Sequence, residues 1–107
     1  MTLTQFKYLL SIVENQLNIS KAAESSSTSQ PGISKQIKLL EGELGAFIFS
    51  RKGKKIVSLT SFGEEVVWYA KKILQDVNNI KLLSNQISDI DEGVLSLAAT
   101  SAQARYI

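Results

Sequence analysis

The chain has 107 residues, of which 44% are apolar and 21% charged, so it is long enough for one small domain with an appendage but not for two full cores. It contains no cysteine and no histidine, which excludes a Cys/His metal site and any Ser-His or Cys-His nucleophile pair. The net charge of +2 is unevenly distributed along the chain. Residues 1–60 contain eight Lys and Arg and four Asp and Glu, whereas residues 61–107 contain four Lys and Arg and six Asp and Glu. The first half is therefore the basic one, as in a nucleic-acid-binding module.

The first part of the chain predicts two helices of different length. One covers residues 4 to about 16, where apolar residues recur at three- and four-residue spacing. These apolar residues are Leu3, Phe6, Leu10, Val13 and Leu17. A shorter helix follows, capped by either Asn18 or Ser20. Its paired alanines, Ala22 and Ala23, allow another helix to approach closely.

Residues 28–41 read TSQPGISKQIKLLE and predict a third helix with an unusual N-terminus. Either Thr28 or Ser29 can cap it, and a proline is tolerated in the first turn because its missing N–H has no partner there. One face is an apolar stripe formed by Ile33, Ile37, Leu40 and Leu44. The opposite face is polar near the N-terminus, cationic further along and without carboxylates until Glu41. That face holds Gln30, Pro31, Ser34, Lys35, Lys38 and Gly42.

A glycine and a two-stranded hairpin follow the third helix. Gly45 is expected to end the helix in the left-handed conformation. Residues 47–49 and 56–59 favour strands, and Lys52-Gly53-Lys54 supplies the turn between them. Four cations in five residues are expected at the tip, namely Arg51, Lys52, Lys54 and Lys55. Taken alone, the polar helix face is more typical of a solvated surface, and the lysines are as typical of a soluble hairpin edge as of a binding site.

A long helix is predicted over residues 61–90, opened by a capping box in the sequence SFGE at residues 61–64. Its apolar residues follow a heptad pattern interrupted only by Ser84. They are Val66, Ala70, Ile73, Val77, Ile80 and Ile87. At 1.5 Å per residue the helix is roughly 43 Å long, too long to bury this seam on a small domain. The heptads therefore predict a second helix, most simply from another copy of the chain; the alternative is packing against further parts of the same protein.

The last segment predicts the beginning of another domain. An acidic break at residues 89–93 precedes the apolar run VLSLAA, which is typical of a buried strand. Thr100 and Ser101 can then cap a helical start. Residues 91–107 are therefore expected to be the truncated start of an α/β domain.

A helix-turn-helix at about residues 19–38, followed by a basic hairpin, is the organisation of a winged DNA-binding module. The stretches QFKYLLSIVEN, ISKAAE, TSQPGISKQIKLLEGELG, IFSRKGKK and LTSFGEE resemble, in order and spacing, the N-terminal domain of LysR-type bacterial transcriptional regulators. TSQPGISKQ and ATSAQARY resemble in particular the CysB and Cbl branch of that family, which regulates sulfur assimilation. The resemblance implies a mainly α fold: a winged helix-turn-helix domain of three helices and a two-stranded β-hairpin over residues 1–60, a coiled-coil-like linker and dimerisation helix over 61–90, and the start of an effector-binding domain over 91–107.

The resemblance also implies a sequence-specific transcriptional regulator, without enzymatic activity or cofactor, that binds double-stranded promoter DNA. The implied DNA contacts are Thr28, Ser29, Gln30, Pro31, Ser34, Lys35 and Lys38 on the helix-turn-helix and Arg51, Lys52, Lys54 and Lys55 on the wing. A homodimer is implied through the linker helix, with tetramers at full length. The implied effector is a small anion of the sulfate, thiosulfate or acetylserine type, bound only by the full-length protein with help from Thr100, Ser101 and Gln103; a helix N-terminus suits such an anion.

Two residues depart from the pattern of the family. Ser26 replaces a leucine that usually packs between the two motif helices, so its hydroxyl needs a hydrogen-bond partner. Ala102 replaces a threonine that is common in the sulfur branch, which removes one ligand for the anion.

The main alternative is a helical protein-interaction module that dimerises through residues 61–90 without reading DNA. Binding to another protein does not require a carboxylate-free helix face beside a basic hairpin, so the placement of the cations favours DNA binding over this alternative. An enzyme is the weakest alternative, because no Gly-rich phosphate loop or nucleophile constellation occurs. No run of about eighteen apolar residues and no signal-peptide pattern is present, so a cytoplasmic location without membrane contact is expected.

Overall fold

The computed structural model describes residues 1–90, with side chains to residue 87. Its elements are α1 (Leu3–Glu14), α2 (Ile19–Ser25), α3 (Gln30–Leu44), β1 (Phe49–Lys52), β2 (Lys55–Leu59) and α4 (Ser61–Ile90). The predicted fold class, a mainly α winged helix-turn-helix followed by a long helix, is confirmed. The chain divides into two compact units, Met1–Leu74 and Gln75–Ile107. The strand expected over 94–99 and the positions Thr100, Ser101, Ala102 and Gln103 lie outside the described residues.

Helix α1 begins one residue earlier than predicted because Thr2 closes its first turn. The Thr2 Oγ1 accepts a hydrogen bond from the Gln5 backbone N–H at 3.1 Å, and the Gln5 Oε1 accepts one from the Thr2 N–H at 3.0 Å. This reciprocal pair is a capping box. The helix ends at Glu14, and the chain turns through Gln16 and Leu17, both at positive φ.

The buried face of α1 differs from the predicted one. Phe6, Leu9 and Ile12 are buried in the core, whereas Leu3 is 42% exposed. Of the predicted apolar residues, Phe6 is buried and Leu10, Val13 and Leu17 are half-buried against this core, so the prediction was wrong only at Leu3 and missed Leu9 and Ile12. The cause is that Leu-Leu and Ile-Val are adjacent apolar pairs, so either member of each pair satisfies three- and four-residue spacing.

Helix α2 packs on both neighbouring helices of the motif. Asn18 caps it, since its Oδ1 accepts a hydrogen bond from the Lys21 N–H at 3.0 Å. Ala22 and Ala23 are buried, as the paired alanines predicted, and α2 contacts both α1 and α3.

The hydroxyl of Ser26 has a protein partner. The Ser26 Oγ donates to the Ser11 Oγ at 3.2 Å, and the Ser11 Oγ donates to the Ala22 carbonyl oxygen at 3.3 Å. A short series of hydrogen bonds therefore links the C-terminal end of α2 to α1, at the position where the family pattern has a leucine.

Helix α3 agrees with the prediction at both ends. Ser29 rather than Thr28 caps it, because the Ser29 Oγ accepts a hydrogen bond from the Gly32 N–H at 3.0 Å. Gly45 ends it at φ 76°, and its N–H donates to the Glu41 carbonyl at 2.9 Å. The apolar stripe is confirmed: Ile33, Ile37 and Leu40 are buried, and Leu44 is half-buried.

Strands β1 and β2 form an antiparallel hairpin whose first strand begins at Phe49, two residues later than predicted. Ile48 and Phe49 are buried, but Phe47 is 72% exposed and lies before the strand. The paired residues are Phe49–Leu59, Ser50–Ser58, Arg51–Ile56 and Lys52–Lys55, with an irregularity after the second pair. The turn contains Gly53 at φ 65°, a conformation that favours glycine.

Thr60, not Ser61, caps α4. The Thr60 Oγ1 accepts a hydrogen bond from the Gly63 N–H at 2.9 Å and donates to the Phe47 carbonyl at 2.7 Å, while the Thr60 N–H donates to the Ile48 carbonyl at 2.9 Å. The predicted capping box was wrong, because the third helical residue is then Gly63, which has no side chain to complete it. A Cβ built on Gly63 would lie 2.0 Å from the Ile48 carbonyl oxygen, so only glycine allows this close approach.

The core of the unit Met1–Leu74 combines the three motif helices, the hairpin and the first turns of α4. It contains Phe6, Leu9, Ile12, Ala22, Ala23, Ile33, Ile37, Leu40, Ile48, Phe49, Ile56, Val67 and Ala70. Ala70 has no exposed surface, so its assignment to a seam between copies was wrong. Val66 is half-buried against the same core.

Candidate nucleic-acid interface

The N-terminal part of α3 presents the polar face that the sequence predicts. Gln30, Pro31, Lys35 and Lys38 are exposed, and Ser34 is half-buried. One shallow depression on the surface is lined by Pro31, Ser34, Lys35 and Lys38. Residues three, four and seven positions apart share a helix face, so hydrogen-bonding groups and cations form one continuous strip.

Thr28 and Ser29 lie in the turn before α3 and close its N-terminus. The exposed Ser29 binds the Gly32 N–H, and Thr28 is half-buried beside it. A Cβ on Gly32 would lie 3.0 Å from the Ser29 Oγ and 3.1 Å from the Thr28 Oγ1. Gly32 therefore keeps this end of the helix compact, with both hydroxyls packed against its backbone.

The first turn of α3 and the hairpin line one open groove. Its lining includes Gln30, the wing lysines Lys52, Lys54 and Lys55, and residues 16–19 from the turn before α2. None of the residues that line it is acidic. Three ammonium groups therefore act together, without a carboxylate among them, and attract phosphates.

Arg51 does not lie with the other wing cations. Its side chain is 22% exposed, and its Nη2 lies 3.8 Å from the Glu41 Oε1. It lines a separate depression together with Lys38 and Phe47. The expected cluster of four cations at the tip is thus three lysines, with the arginine placed beside a buried carboxylate.

Glu41 is a residue whose role the sequence reasoning missed. It is 6% exposed, and its Oε2 accepts hydrogen bonds from the backbone N–H groups of Ile48 at 2.8 Å and Phe49 at 3.2 Å. The end of α3 is thereby attached to the start of the wing. Its position four residues after Ile37 places it on the buried stripe, and that spacing was the available signal.

A second set of missed contacts attaches α1 to α3. The Gln5 Nε2 donates to the Gln36 Oε1 at 3.2 Å, and the Met1 ammonium pairs with the Glu43 carboxylate. Gln5 is 6% exposed, so this amide is part of the packing between the helices. These polar contacts link α1 to α3 in addition to the buried core.

A third contact attaches α2 to the first residue of α3. The Ser20 Oγ donates a hydrogen bond to the Gln30 Oε1 at 2.9 Å. The sequence predicts Ser20 only as an alternative helix cap, and Asn18 takes that role.

The predicted dimerisation residues differ in exposure. Ile73 and Ile80 are 38% and 64% exposed, and Val77 and Ile87 are half-buried. Since Ala70 is enclosed by its own chain, the seam with exposed surface begins at Ile73.

Two neighbouring aromatic residues lie on the surface of α4. Trp68 and Tyr69 are 55% and 61% exposed, and their rings meet edge to face with centroids 4.9 Å apart. The Lys72 Nζ lies 4.4 Å from the centre of the Trp68 ring, a cation–π contact.

Neither a metal site nor a membrane span is found in the part of the chain that the structure describes. No cluster of three or more acidic side chains among these residues could hold a metal ion. No helix within residues 1–90 is long and apolar enough to cross a membrane.

A family model for bacterial regulatory helix-turn-helix proteins of the lysR family matches residues 3–64, from α1 to the first turn of α4. The chain belongs to the LysR family. The match covers the three helices and the hairpin, where the resemblance placed the winged helix-turn-helix.

Relatives of this LysR-family chain include regulators of the expected branch. It is 42% identical to the HTH-type transcriptional regulator CysB of Haemophilus influenzae over 107 residues, which are 100% of this chain and 33% of that protein. It is 35% identical to the HTH-type transcriptional regulator cbl of Escherichia coli over 106 residues, which are 99% of this chain and 34% of that protein. The chain therefore spans about a third of the length of these curated relatives.

A solved structure shares the fold with this LysR-family chain. The DNA-binding domain of BenM, in complex with benA site 1 DNA, is 32% identical and superposes with a TM-score of 0.75. The match covers 82% of this chain and 97% of that one. The winged helix-turn-helix and the helix after it are thus the architecture of a family member that has been observed on DNA.

Proposed function

We propose that this chain recognises operator DNA with α3 and the β1–β2 hairpin, and that the genes it controls belong to sulfur metabolism. The groove shared by Gln30, Lys52, Lys54 and Lys55 carries the DNA-binding part of the proposal, because no acidic side chain lines it. Similarity to CysB and cbl over nearly the whole chain supports the sulfur branch.

In this proposal the N-terminal end of α3 enters the major groove. Gln30 and Ser34 reach base edges, since both stand on the accessible face of the first turns. Lys35 and Lys38, further along that face, contact phosphates or a guanine edge. Thr28, Ser29 and Pro31 form the compact turn that lets the helix approach the duplex.

The hairpin supplies the second part of the proposed interface. Lys52, Lys54 and Lys55 meet the sugar-phosphate backbone or the minor groove beside α3. Arg51 contacts DNA from the neighbouring depression, where the carboxylate of Glu41 partly neutralises the charge of its guanidinium. Its contribution to affinity is therefore expected to be smaller than that of a wing lysine.

The proposal includes a second copy of the chain. The stripe from Ile73 through Val77 and Ile80 to Ile87 pairs with the same stripe of another copy, and two recognition helices then bind a pseudo-palindromic site. Such dimers associate into tetramers at full length, in the cytoplasm. In that longer protein the turn with Thr100, Ser101 and Gln103 contributes to binding a small anion such as sulfate, thiosulfate or acetylserine.

The proposed DNA surface is tested by a salt titration. The logarithm of the association constant falls with the logarithm of salt concentration, with a slope of about −0.9 for each phosphate contact. Lys54→Ala with Lys55→Ala should therefore make the slope less negative by about 1.8. The matched control is Lys7→Ala with Lys71→Ala, which removes two exposed cations that do not line the groove. Equal slopes for the wild type and the wing variant would place the phosphates elsewhere.

The assignment to sulfur metabolism is tested by identifying the genes next to the DNA fragments that the protein binds. Genomic fragments of the host retained by the protein should lie upstream of genes for sulfate, sulfonate or cysteine metabolism. Retained fragments upstream of unrelated genes would contradict the branch while leaving the DNA surface intact.

The dimer is tested by a charge placed in the stripe. Ile80→Asp buries an unpaired carboxylate between the two helices, a costly change, and should give monomers by light scattering at tens of micromolar. The control Asn79→Asp adds the same charge at the adjacent exposed position and should remain a dimer. A monomeric wild type at that concentration would contradict the proposed pairing.

A further inference from the structure

The side chain of Gln30 is held by a residue of the preceding helix. Ser20, the second residue of α2, places its Oγ 2.9 Å from the Oε1 of Gln30, the first residue of α3. A carbonyl oxygen carries no hydrogen, so the serine hydroxyl is the donor. The bond turns the carbonyl of the amide toward α2 and its amino group away from α2.

The orientation of this amide matters because the two sides of a carboxamide read different bases. A free glutamine pairs with adenine by using both groups, accepting from N6 and donating to N7. Guanine presents two acceptors, O6 and N7, and no donor on that edge. An amide whose carbonyl is held by Ser20 therefore offers the groove its amino group, which fits acceptors.

We propose that Ser20 is a positioning residue for base recognition, and that it makes Gln30 favour guanine over adenine at the base that Gln30 contacts. This inference rests on the proposed function, since it assumes that Gln30 enters the major groove. It goes beyond that function by naming the base and the residue that selects it.

The surroundings of the pair strengthen the preference once DNA is bound. Ser20 and Gln30 are both exposed in the free chain, where water competes with their hydrogen bond. DNA on this surface removes that water, and a hydrogen bond is electrostatically stronger in a dry environment. Turning the amide to accept from adenine would let its amino group donate to the Ser20 Oγ, but the hydrogen of the serine hydroxyl would then lose its acceptor inside the interface, which is unfavourable.

The test is a set of binding titrations on operator variants. An operator selected with the wild type is altered at each half-site position to all four base pairs, and affinity is measured for the wild type, Ser20→Ala, Ser20→Thr, Gln30→Ala and the control Ser25→Ala. Gln30→Ala identifies the contacted position as the one where discrimination disappears. At that position the wild type should favour guanine over adenine by about tenfold, the discrimination of one good base contact.

Ser20→Ala should bring guanine and adenine to within about threefold or reverse their order at that position only. Ser20→Thr, which keeps the hydroxyl, should restore the wild-type order, and Ser25→Ala, which removes an exposed hydroxyl from the same helix, should not change it. The inference is overturned if the wild type favours adenine there, or if Ser20→Ala leaves the preference for guanine unchanged, with or without an equal weakening of all duplexes. It is also overturned if Gln30→Ala leaves every position unchanged.

The same measurements distinguish a failure of the proposed function from a failure of this inference. If no wild-type operator is bound more tightly than random duplex, or if the wing variant keeps its salt slope, the interface itself is wrong. If the operator is bound specifically and Gln30→Ala flattens one position, only the role of Ser20 is left in question, and the Ser20→Ala profile decides it.

Discussion

The two ends of α3 differ in burial. At the N-terminal end and the turn before it, residues 28–38, the polar side chains are mostly exposed, and some are held by hydrogen bonds at the surface. At the C-terminal end, residues 40–45, Leu40 and the carboxylate of Glu41 are buried. We refer to these as the reading end and the anchored end. At the reading end Ser29 accepts a hydrogen bond from the Gly32 N–H, and Gln30 accepts one from Ser20 in α2. At the anchored end Glu41 binds the backbone at the start of the wing.

The difference separates two properties of one helix. Substitutions of the polar side chains at the reading end should change DNA recognition with little effect on folding, because these side chains bury little surface, unlike Ile33 and Ile37 of the same segment. Substitutions at the anchored end should change the free energy of unfolding, and DNA recognition only through the wing. Each variant below is therefore measured in both ways, at one protein concentration, because the stability of a dimer depends on concentration.

The largest effect is expected at Gly63, which lies against Ile48, a residue that the anchored end also holds. Gly63→Ala places a Cβ 2.0 Å from the Ile48 carbonyl oxygen, so α4 or the wing must move. We expect a loss of about 4 kcal/mol in the free energy of unfolding, or failure to fold. Urea unfolding followed by circular dichroism measures it.

A matched control for this substitution is Gly42→Ala in α3. Nothing lies within 4 Å of a Cβ at Gly42, so alanine should stabilise the helix by about 0.5–1 kcal/mol. Similar losses at Gly42 and Gly63 would show that close packing of Gly63 is not the cause.

The second effect tests the anchored end directly. Glu41→Ala leaves two buried backbone N–H groups, of Ile48 and Phe49, without their acceptor. We expect a loss of about 2–3 kcal/mol in urea unfolding. Glu24→Ala, which removes an exposed carboxylate from α2, should change the free energy of unfolding by less than about 0.5 kcal/mol. An equal loss for both variants would mean that Glu41 does not hold the wing.

The third effect tests the reading end. Ser34→Ala should reduce the preference for operator over random duplex by about 1 kcal/mol, since one base contact is lost. Its free energy of unfolding should change by less than about 0.5 kcal/mol, because Ser34 contributes little to the core. A stability loss with unchanged DNA preference would remove the distinction between the two ends.

The smallest effect concerns the link between α1 and α2. Ser26→Ala removes one hydrogen bond to Ser11 while Ser11 keeps its bond to the Ala22 carbonyl. We expect a loss of about 0.5 kcal/mol and unchanged DNA preference. Ser25→Ala, at the adjacent exposed position, should have no effect. A loss above about 2 kcal/mol would show that the hydroxyl pair is more deeply involved in packing than one bond accounts for.

The sequence predicted the elements well where spacing and end residues agree. The spacing of Ile33, Ile37 and Leu40 predicted the buried face of α3, and Gly45 predicted its end because few other residues adopt a left-handed conformation. The exposed polar strip was predicted for the same reason, as it is what remains of α3 when the apolar stripe is assigned. The wing lysines were predicted because Lys52-Gly53-Lys54 marks the turn of the hairpin.

Prediction was less successful where two nearby residues satisfied the same local rule. Thr60 and Ser61 can both cap a helix, and the contact of Thr60 with the Ile48 carbonyl, a tertiary contact, decides between them. Ala70 fits a heptad and also fits the core, and the close packing permitted by Gly63 places it in the core. The hydrogen bonds of Glu41 depend on how the chain returns after Gly45, which spacing does not specify.

The chain contains a single tryptophan on the surface of α4, away from the stripe that includes Val77, so it is an optical probe of contacts on another face of the helix. An indole that is 55% exposed in the folded chain changes its surroundings little on unfolding, so its fluorescence is a weak signal for folding. Burial of Trp68 by another copy would remove water from the ring and shift its emission to shorter wavelength. The ammonium of Lys72, 4.4 Å from the ring centre, would be displaced or enclosed in the same event. A dilution series read by fluorescence alone would then report whether that face of α4 becomes covered, without any label attached to the protein.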